Sequence, residues 1–167
     1  GEKNVSVGHY SLFSLTTGAY NVAIGANALD DLTTESNNTA VGYATLAAST
    51  TGTQNTAVGS NALLSNTTGN YNTALGMYAL DQSSTASNNT AVGYMALNDN
   101  TTGGSNSVVG YQANTNNTTS PHNAMVGYHA GFSQTTGGYN TFMGSHCGKN
   151  ITTGQENTFY GYQAGYH

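Results

Sequence analysis

The side chains that most often carry chemistry are few here and poorly placed for it. The seven acids, Glu2, Asp30, Asp31, Glu35, Asp81, Asp99 and Glu156, form no recurring pair. Asp30-Asp31 falls in a polar stretch and reads as a solvated surface pair. The five histidines, His9, His122, His129, His146 and His167, make no His-x-His or His-x-x-x-His ligand spacing. Cys147 is the only cysteine, so no intrachain disulfide framework exists. It reads as a small buried residue. The chain has no phosphate-binding Walker loop, no nucleophile elbow and no Gly-Gly-x-Gly-x-Asp calcium repeat. These features argue for a chain that is not an enzyme and holds neither metal nor cofactor. The aromatic residues are more informative, with twelve tyrosines and no tryptophan. Rings beside Asn and Thr suit glycans, whose sugar faces stack on aromatics while their hydroxyls hydrogen-bond to polar groups. The plainer reading is that the rings cover an apolar edge and keep their hydroxyls in water.

A repeat positions these residues. The motif Asn-x-(apolar)-(apolar)-Gly begins at Asn4, Asn21, Asn38, Asn55, Asn72, Asn89, Asn106, Asn123, Asn140 and Asn157, always 17 residues apart. Such a short period without slippage means that each copy stacks on the last. With the Asn as position 1, positions 2 to 4 are Thr-Ala-Val in Asn38–Gly42, Asn55–Gly59 and Asn89–Gly93, and Asn72–Gly76 differs only in Leu75. Position 5 is Gly in every copy, position 8 is small, and positions 13 and 14 are mostly Thr-Thr. This is a β-prone stretch, a Gly corner, a second short stretch and a polar turn. Recurrent Gly and β-branched residues argue against helix. Residues 1–167 are therefore expected to form one all-β unit, a β-solenoid of ten 17-residue coils, cut from a longer fibre protein. Asn38, Asn55, Asn72 and Asn89, with Gly42, Gly59, Gly76 and Gly93, are its structural residues. The Asn column can form an amide ladder between coils, or each Asn can bond only its own turn.

Stacking gives the aromatic residues their neighbours. Tyr43, Tyr94, Tyr111, Tyr128 and Tyr162 share position 6, and Tyr20, Tyr71 and Tyr139 share position 17. Tyr128, His129, Phe132, His146, Tyr162 and Tyr166 converge in the last coils and form the candidate ligand-binding set. Two further patterns concern packing. Positions 3 and 4 are both apolar although successive strand residues face opposite ways, so the outward face calls for another chain, and a cyclic trimer is the simplest closure. Position 9 is Leu in six copies and then becomes Asn114, Gly131, Gly148 and Gly165. Position 3 meanwhile grows from Ala to Val108, Met125, Phe142 and Phe159. Volume lost in one column returns in the other, so the two columns are expected to touch.

Asn-Thr-Ala-Val-Gly-Tyr followed by Asn-Thr-Thr-Gly resembles the repeats of phage tail fibres and bacterial surface fibres. More loosely, it resembles the heads of YadA-like trimeric autotransporter adhesins. The resemblance spans nearly the whole chain. It implies a left-handed parallel β-roll, a parallel homotrimer, an extracellular place on a cell surface or virion tail, and adhesion to a cell-surface glycan or protein receptor. The formal net charge of −5, with Lys3 and Lys149 the only cations, makes nucleic acid and acidic membranes poor partners. No apolar run is long enough to insert in a membrane. Two other functions fit a solenoid. One is ice binding by the Thr columns of the polar turn, from Thr16-Thr17 to Thr152-Thr153, and the other is a tailspike glycan hydrolase, which needs two acids in a groove.

Overall fold

The computed structural model describes residues 1–166; His167 lies outside the described residues. Ten three-residue strands recur once per repeat: β1 (Val5–Val7), β2 (Val22–Ile24), β3 (Thr39–Val41), β4 (Thr56–Val58), β5 (Thr73–Leu75), β6 (Thr90–Val92), β7 (Ser107–Val109), β8 (Ala124–Val126), β9 (Thr141–Met143) and β10 (Thr158–Tyr160). They pair in parallel and in chain order within one sheet. Each residue faces its equivalent one repeat on, as Ala40 faces Ala57 and Ala57 faces Ala74. The chain is thus an all-β solenoid, about 45 Å long at a strand spacing of about 4.8 Å.

Outside the strands, backbone hydrogen bonds still run from coil to coil. Leu46 N–H donates to Ala62 O at 3.1 Å, Ala48 N–H to Leu64 O at 3.1 Å, and Thr50 N–H to Thr67 O at 3.0 Å. Ala44 N–H and Gly42 N–H donate the other way, to Ala26 O and Ile24 O. Short segments can serve both neighbours because several residues adopt left-handed backbone. Positions 7, 9 and 17 have positive φ in coil after coil, as at Asn61 (57°), Leu63 (52°) and Tyr71 (59°). For ordinary L-residues this costs roughly 1–2 kcal/mol each. The cost persists because the backbone groups of each coil would otherwise go unpaired. The Gly at position 5 has a more demanding conformation. Gly42 has φ 137°, and a Cβ there would lie 2.7 Å from the backbone carbon of Gly59. No side chain fits that corner.

In each strand only the middle residue points inward. Ala23, Ala40, Ala57, Ala91, Val108, Met125 and Phe142 are fully buried, as are the position 9 leucines from Leu29 to Leu97. The expected contact between the two columns is present. A Cβ on Gly148 would lie 2.6 Å from Phe142 ring carbons, and one on Gly131 would lie 2.9 Å from Met125 Cε. The Phe142 and Phe159 rings stack at 5.2 Å. The exchange of Leu/Ala for Gly/Phe has a second benefit, since Gly148 sits at φ 59° without the strain that Leu carries there.

The Asn column differs from both of its expected arrangements. Each side chain bridges two backbones. Asn55 Oδ1 accepts from the Asn72 N–H at 2.9 Å, while Asn55 Nδ2 donates to Gly69 O at 2.8 Å. The same pair of bonds recurs at Asn38 and Asn72. Direct amide contacts between neighbouring Asn side chains occur only towards the C-terminal half, as at Asn106–Asn89 and Asn123–Asn106.

One polar column is unexpectedly internal. Position 12 lies inside the rod, with Ser49, Asn66, Ser83, Asn100, Asn117 and Gln134 all buried. Asn114, at position 9, is also fully buried, and neither of its amide atoms has a partner. Leu occupies this left-handed position in six coils, but beside Ser or Ala, whereas Asn114 shares its layer with the larger Val108. Asn114→Ala, which removes both unpaired amide atoms without adding volume, is therefore expected to be neutral or to stabilise the fold by up to about 1–3 kcal/mol, the usual cost of an unsatisfied buried polar group. Chemical denaturation of the two proteins measures this, and a loss of stability would contradict it.

Candidate functional site

The rings of columns 6 and 7 start from the Gly corner. Positive φ at position 5 turns the chain sharply, so the residues at positions 6 and 7 form an outer ridge beside the strand. In-register stacking then brings side chains of one column to coil spacing. Tyr94 and Tyr111 stack with centroids 5.2 Å apart and planes 20° apart, and Tyr111 and Tyr128 stack at 5.4 Å and 11°. Tyr78 meets Tyr94 edge-on at 6.4 Å. The inner rings of this ladder cover each other's faces and offer solvent mainly edges and hydroxyls. The most exposed ring of column 6 lies beyond the ladder, at Tyr162.

The candidate residues gather at that end. His129 stacks on Tyr128 at 4.0 Å and lies 4.9 Å from Phe132 and 5.5 Å from His146. His146 also meets Tyr128 at 5.1 Å and Tyr162 at 6.2 Å, both edge-on. Five of the six candidate residues thus form one cluster: Tyr128, His129, Phe132, His146 and Tyr162. The sixth, Tyr166, stands in the same column as Phe132 and Lys149, and its carbonyl accepts from Asn150 Nδ2 at 2.8 Å. The exposure of the rings differs, with Tyr162 at 71%, Tyr128 at 46% and His129 and Phe132 half-buried.

Two residues of this cluster were missed in the sequence. Gln112, one coil before His129 in column 7, places Oε1 2.8 Å from His129 Nε2. An amide oxygen only accepts, so His129 carries its proton on Nε2. His129 Nδ1 is buried without a partner. Burial, with the nearby charges of Lys149 and His146, holds the His129 pKa below the ordinary histidine value. Lys149, in column 10 above Phe132, is the second missed residue. The shared columns were legible, but the reach of column 10 to column 7 depends on the curvature of the turn.

The other sequence candidates are dispersed. His122 stacks on Tyr139 at 4.9 Å in column 17, and Tyr20 has Lys3 Nζ over its ring at 5.1 Å. Among the described residues no group of three or more His, Cys, Asp or Glu could hold a metal ion. Cys147 is buried, and burial pushes its thiol pKa up. Asp81 and Asp99 are the acids brought together. Asp81 is buried, with Oδ2 accepting from Gln82 Nε2 at 3.1 Å and Oδ1 without a partner. Burial first, then the Asp99 charge, raises its pKa, against the lowering effect of Gln82 and Asn98. Because the raised pKa belongs to the folded state, the Asp81 contribution favours folding most at low pH. It is lost as pH rises from the ordinary carboxylate range through the higher folded value. Asp81→Asn should therefore be more stable than the parent at neutral pH, with the difference vanishing in acid. Thermal melts across pH test this, and a difference that widened in acid would contradict it.

The outward face of the sheet has a distinct composition. Position 4 presents a continuous apolar column in which Ile24 is 40% exposed, Leu75 48%, Val109 40% and Val126 44%. Position 2 sets Thr39, Thr56, Thr73 and Thr90 beside it. Near the C-terminal end, Val126, Met143, Gly144, Tyr160 and Gly161 line an open apolar groove. All nine charged side chains stand at positions 10, 11, 15, 16 or 17, and none stands on the strand, the Gly corner or the ridge. On the polar turn, the position 13 hydroxyls are committed to the stack, as Thr101 Oγ1 donates to Thr118 O at 2.9 Å. The position 14 threonines, from Thr17 to Thr153, point into solvent. No helix among the described residues is long and apolar enough to cross a membrane. Searches for similar proteins find no match to this chain among protein families, curated proteins or solved structures.

Proposed function

We propose that the chain is a segment of a trimeric extracellular fibre, of the tail-fibre or surface-adhesin kind, that displays a receptor-binding surface. The observation that carries this reading is the half-exposed apolar column along the outward sheet face, kept free of charge over the whole rod. A face buried against copies of itself must exclude charge along its whole length, because an unpaired buried charge is costly. Parallel chains around a common axis would bury that column and leave the aromatic ridge at the outer edge of each chain for a cell-surface glycan or protein receptor. The left-handed roll of the resembling families fits the same assembly. Light scattering on the purified chain is expected to give three copies. Val58→Asp, placing a charge in the middle of the column, is expected to shift the mass towards one copy while circular dichroism keeps its β signal. A parent protein that is folded and monomeric would contradict the assembly.

A second reading rests on the same face. Thr39, Thr56, Thr73 and Thr90 stand in register beside Val41, Val58, Leu75 and Val92 on a regular parallel sheet. Rows of hydroxyl and methyl groups at coil spacing can order water, so a monomer with this face open would suit ice binding. Thermal hysteresis from a monomeric preparation would favour this reading over the fibre.

A further inference from the structure

The acids are absent from one long stretch of this acidic chain. Between Asp99 and Glu156 the only fixed charge is Lys149, and His122, His129 and His146 fall in the same stretch. The two lysines are also used differently. Lys3 Nζ donates to Tyr20 OH at 3.1 Å and covers the Tyr20 ring. Lys149 makes no ion pair and no side-chain hydrogen bond among the described residues. It stands in column 10, one coil after Phe132 and beside the end of the ridge; its backbone N–H donates to His146 O at 3.3 Å, and its charge is felt by His129. His146 Nδ1 lies 3.1 Å from Ser145 Oγ, and Nε2 has no protein partner among the described residues. A cation, a second proton-carrying group and three aromatic rings therefore meet in a corner with no acid among them.

We propose that this corner binds an anionic sugar unit of a glycan, with Lys149 and His146 Nε2 on its acid group and Tyr162 and Phe132 against its ring. The proposal rests on the receptor-binding reading above and names the ligand class for it. Each part has a physical reason. Burial, with the Lys149 and His146 charges, lowers the His129 pKa, and the Gln112 bond fixes the ring's orientation against Tyr128, so it serves as an aromatic plate. Lys149 and His146 supply donors that an anion satisfies and a neutral hydroxyl satisfies less well. The ladder ends at Tyr128, which stacks on Tyr111 and on His129, so the open ring of the corner is Tyr162, 71% exposed and met only edge-on by His146. The same charge pattern limits the ligand to an isolated anionic unit. A long polyanion lying along the rod would meet Asp30, Asp31, Glu35, Asp81 and Asp99 and be repelled.

The test uses the assembled protein and three oligosaccharides of one backbone, carrying a carboxylate, a sulfate ester or, after carboxyl reduction, no charge. Calorimetry should show either anionic form binding about tenfold or more tightly than the neutral form, with the margin shrinking at high salt. Lys149→Gln should remove most of that margin and leave neutral binding and the melting temperature unchanged, while Lys3→Gln changes nothing. His146→Gln should remove part of it. Equal binding of charged and neutral forms, or a margin indifferent to Lys149→Gln, would overturn the anionic site and leave the adhesive reading standing. Failure of all three saccharides, with cell attachment retained, would overturn the glycan proposal alone. Loss of attachment as well would remove the receptor-binding reading with it.

Discussion

Phe142→Ala is expected to cost about 3–5 kcal/mol, as truncation of a buried ring does, and adding Gly148→Leu should recover most of it. The Phe142 ring fills the space that a position 9 side chain occupies in earlier coils, which is why a Cβ on Gly148 would stand 2.6 Å from it. Gly148→Leu alone therefore overpacks the layer and is expected to cost about 1–3 kcal/mol or more. The double variant recreates the Ala/Leu pair found at Ala57 and Leu63 or at Ala91 and Leu97, both fully buried. The introduced leucine keeps about 1–2 kcal/mol of left-handed strain, so recovery is incomplete. Denaturant unfolding of the four proteins in this cycle measures the coupling. Simple additivity would mean that the two columns do not share a packing layer.

Asn72→Ala is expected to be comparably severe, at about 2–6 kcal/mol. The side chain satisfies the Asn89 N–H at 3.0 Å and the Ala86 carbonyl at 2.9 Å, both within the rod. Removing it orphans two backbone groups at about 1–3 kcal/mol each. Asn72→Asp separates the two bonds. The carboxylate keeps the acceptor for Asn89 but sets negative charge against the Ala86 oxygen, so it should be no better tolerated than Ala. Hydrogen exchange should show loss of protection centred on β5 and β6, the strands that follow Asn72 and Asn89. A variant that melts like the parent would mean that the column is dispensable.

The sequence shows the repeat, the strand in each coil, the Gly corner and the contact between columns 3 and 9, because each depends on residue type at a fixed interval. It also brings Tyr128, His129, His146 and Tyr162 together, since these stand in the adjacent columns 6 and 7 and stacking makes them neighbours. Three features escape it for physical reasons. Left-handed backbone at Leu63, Tyr71 and Met95 is invisible because those residues have no preference for it and are held there by coil-to-coil hydrogen bonds. Position 12 reads as a polar turn, yet Ser49, Asn66 and Gln134 are inside, where side-chain polarity is a poor guide to burial in so thin a rod. The ring ladder reads as a stacking surface for sugars, but whether faces or edges meet solvent depends on side-chain torsions that period alone does not fix.

The one-to-one register has a consequence for how such a molecule can change in length. Each strand contacts only the strands before and after it in the chain, with no long crossover to tie distant parts together. Removing a whole interior repeat would therefore join two surfaces that already match, and inserting one would do the same. Any other number of residues would slide Gly onto Tyr and Asn onto Thr in every later coil. Length in this architecture comes in indivisible steps of about 4.8 Å, so gene duplication can alter reach without touching the chemistry at the end of the ridge.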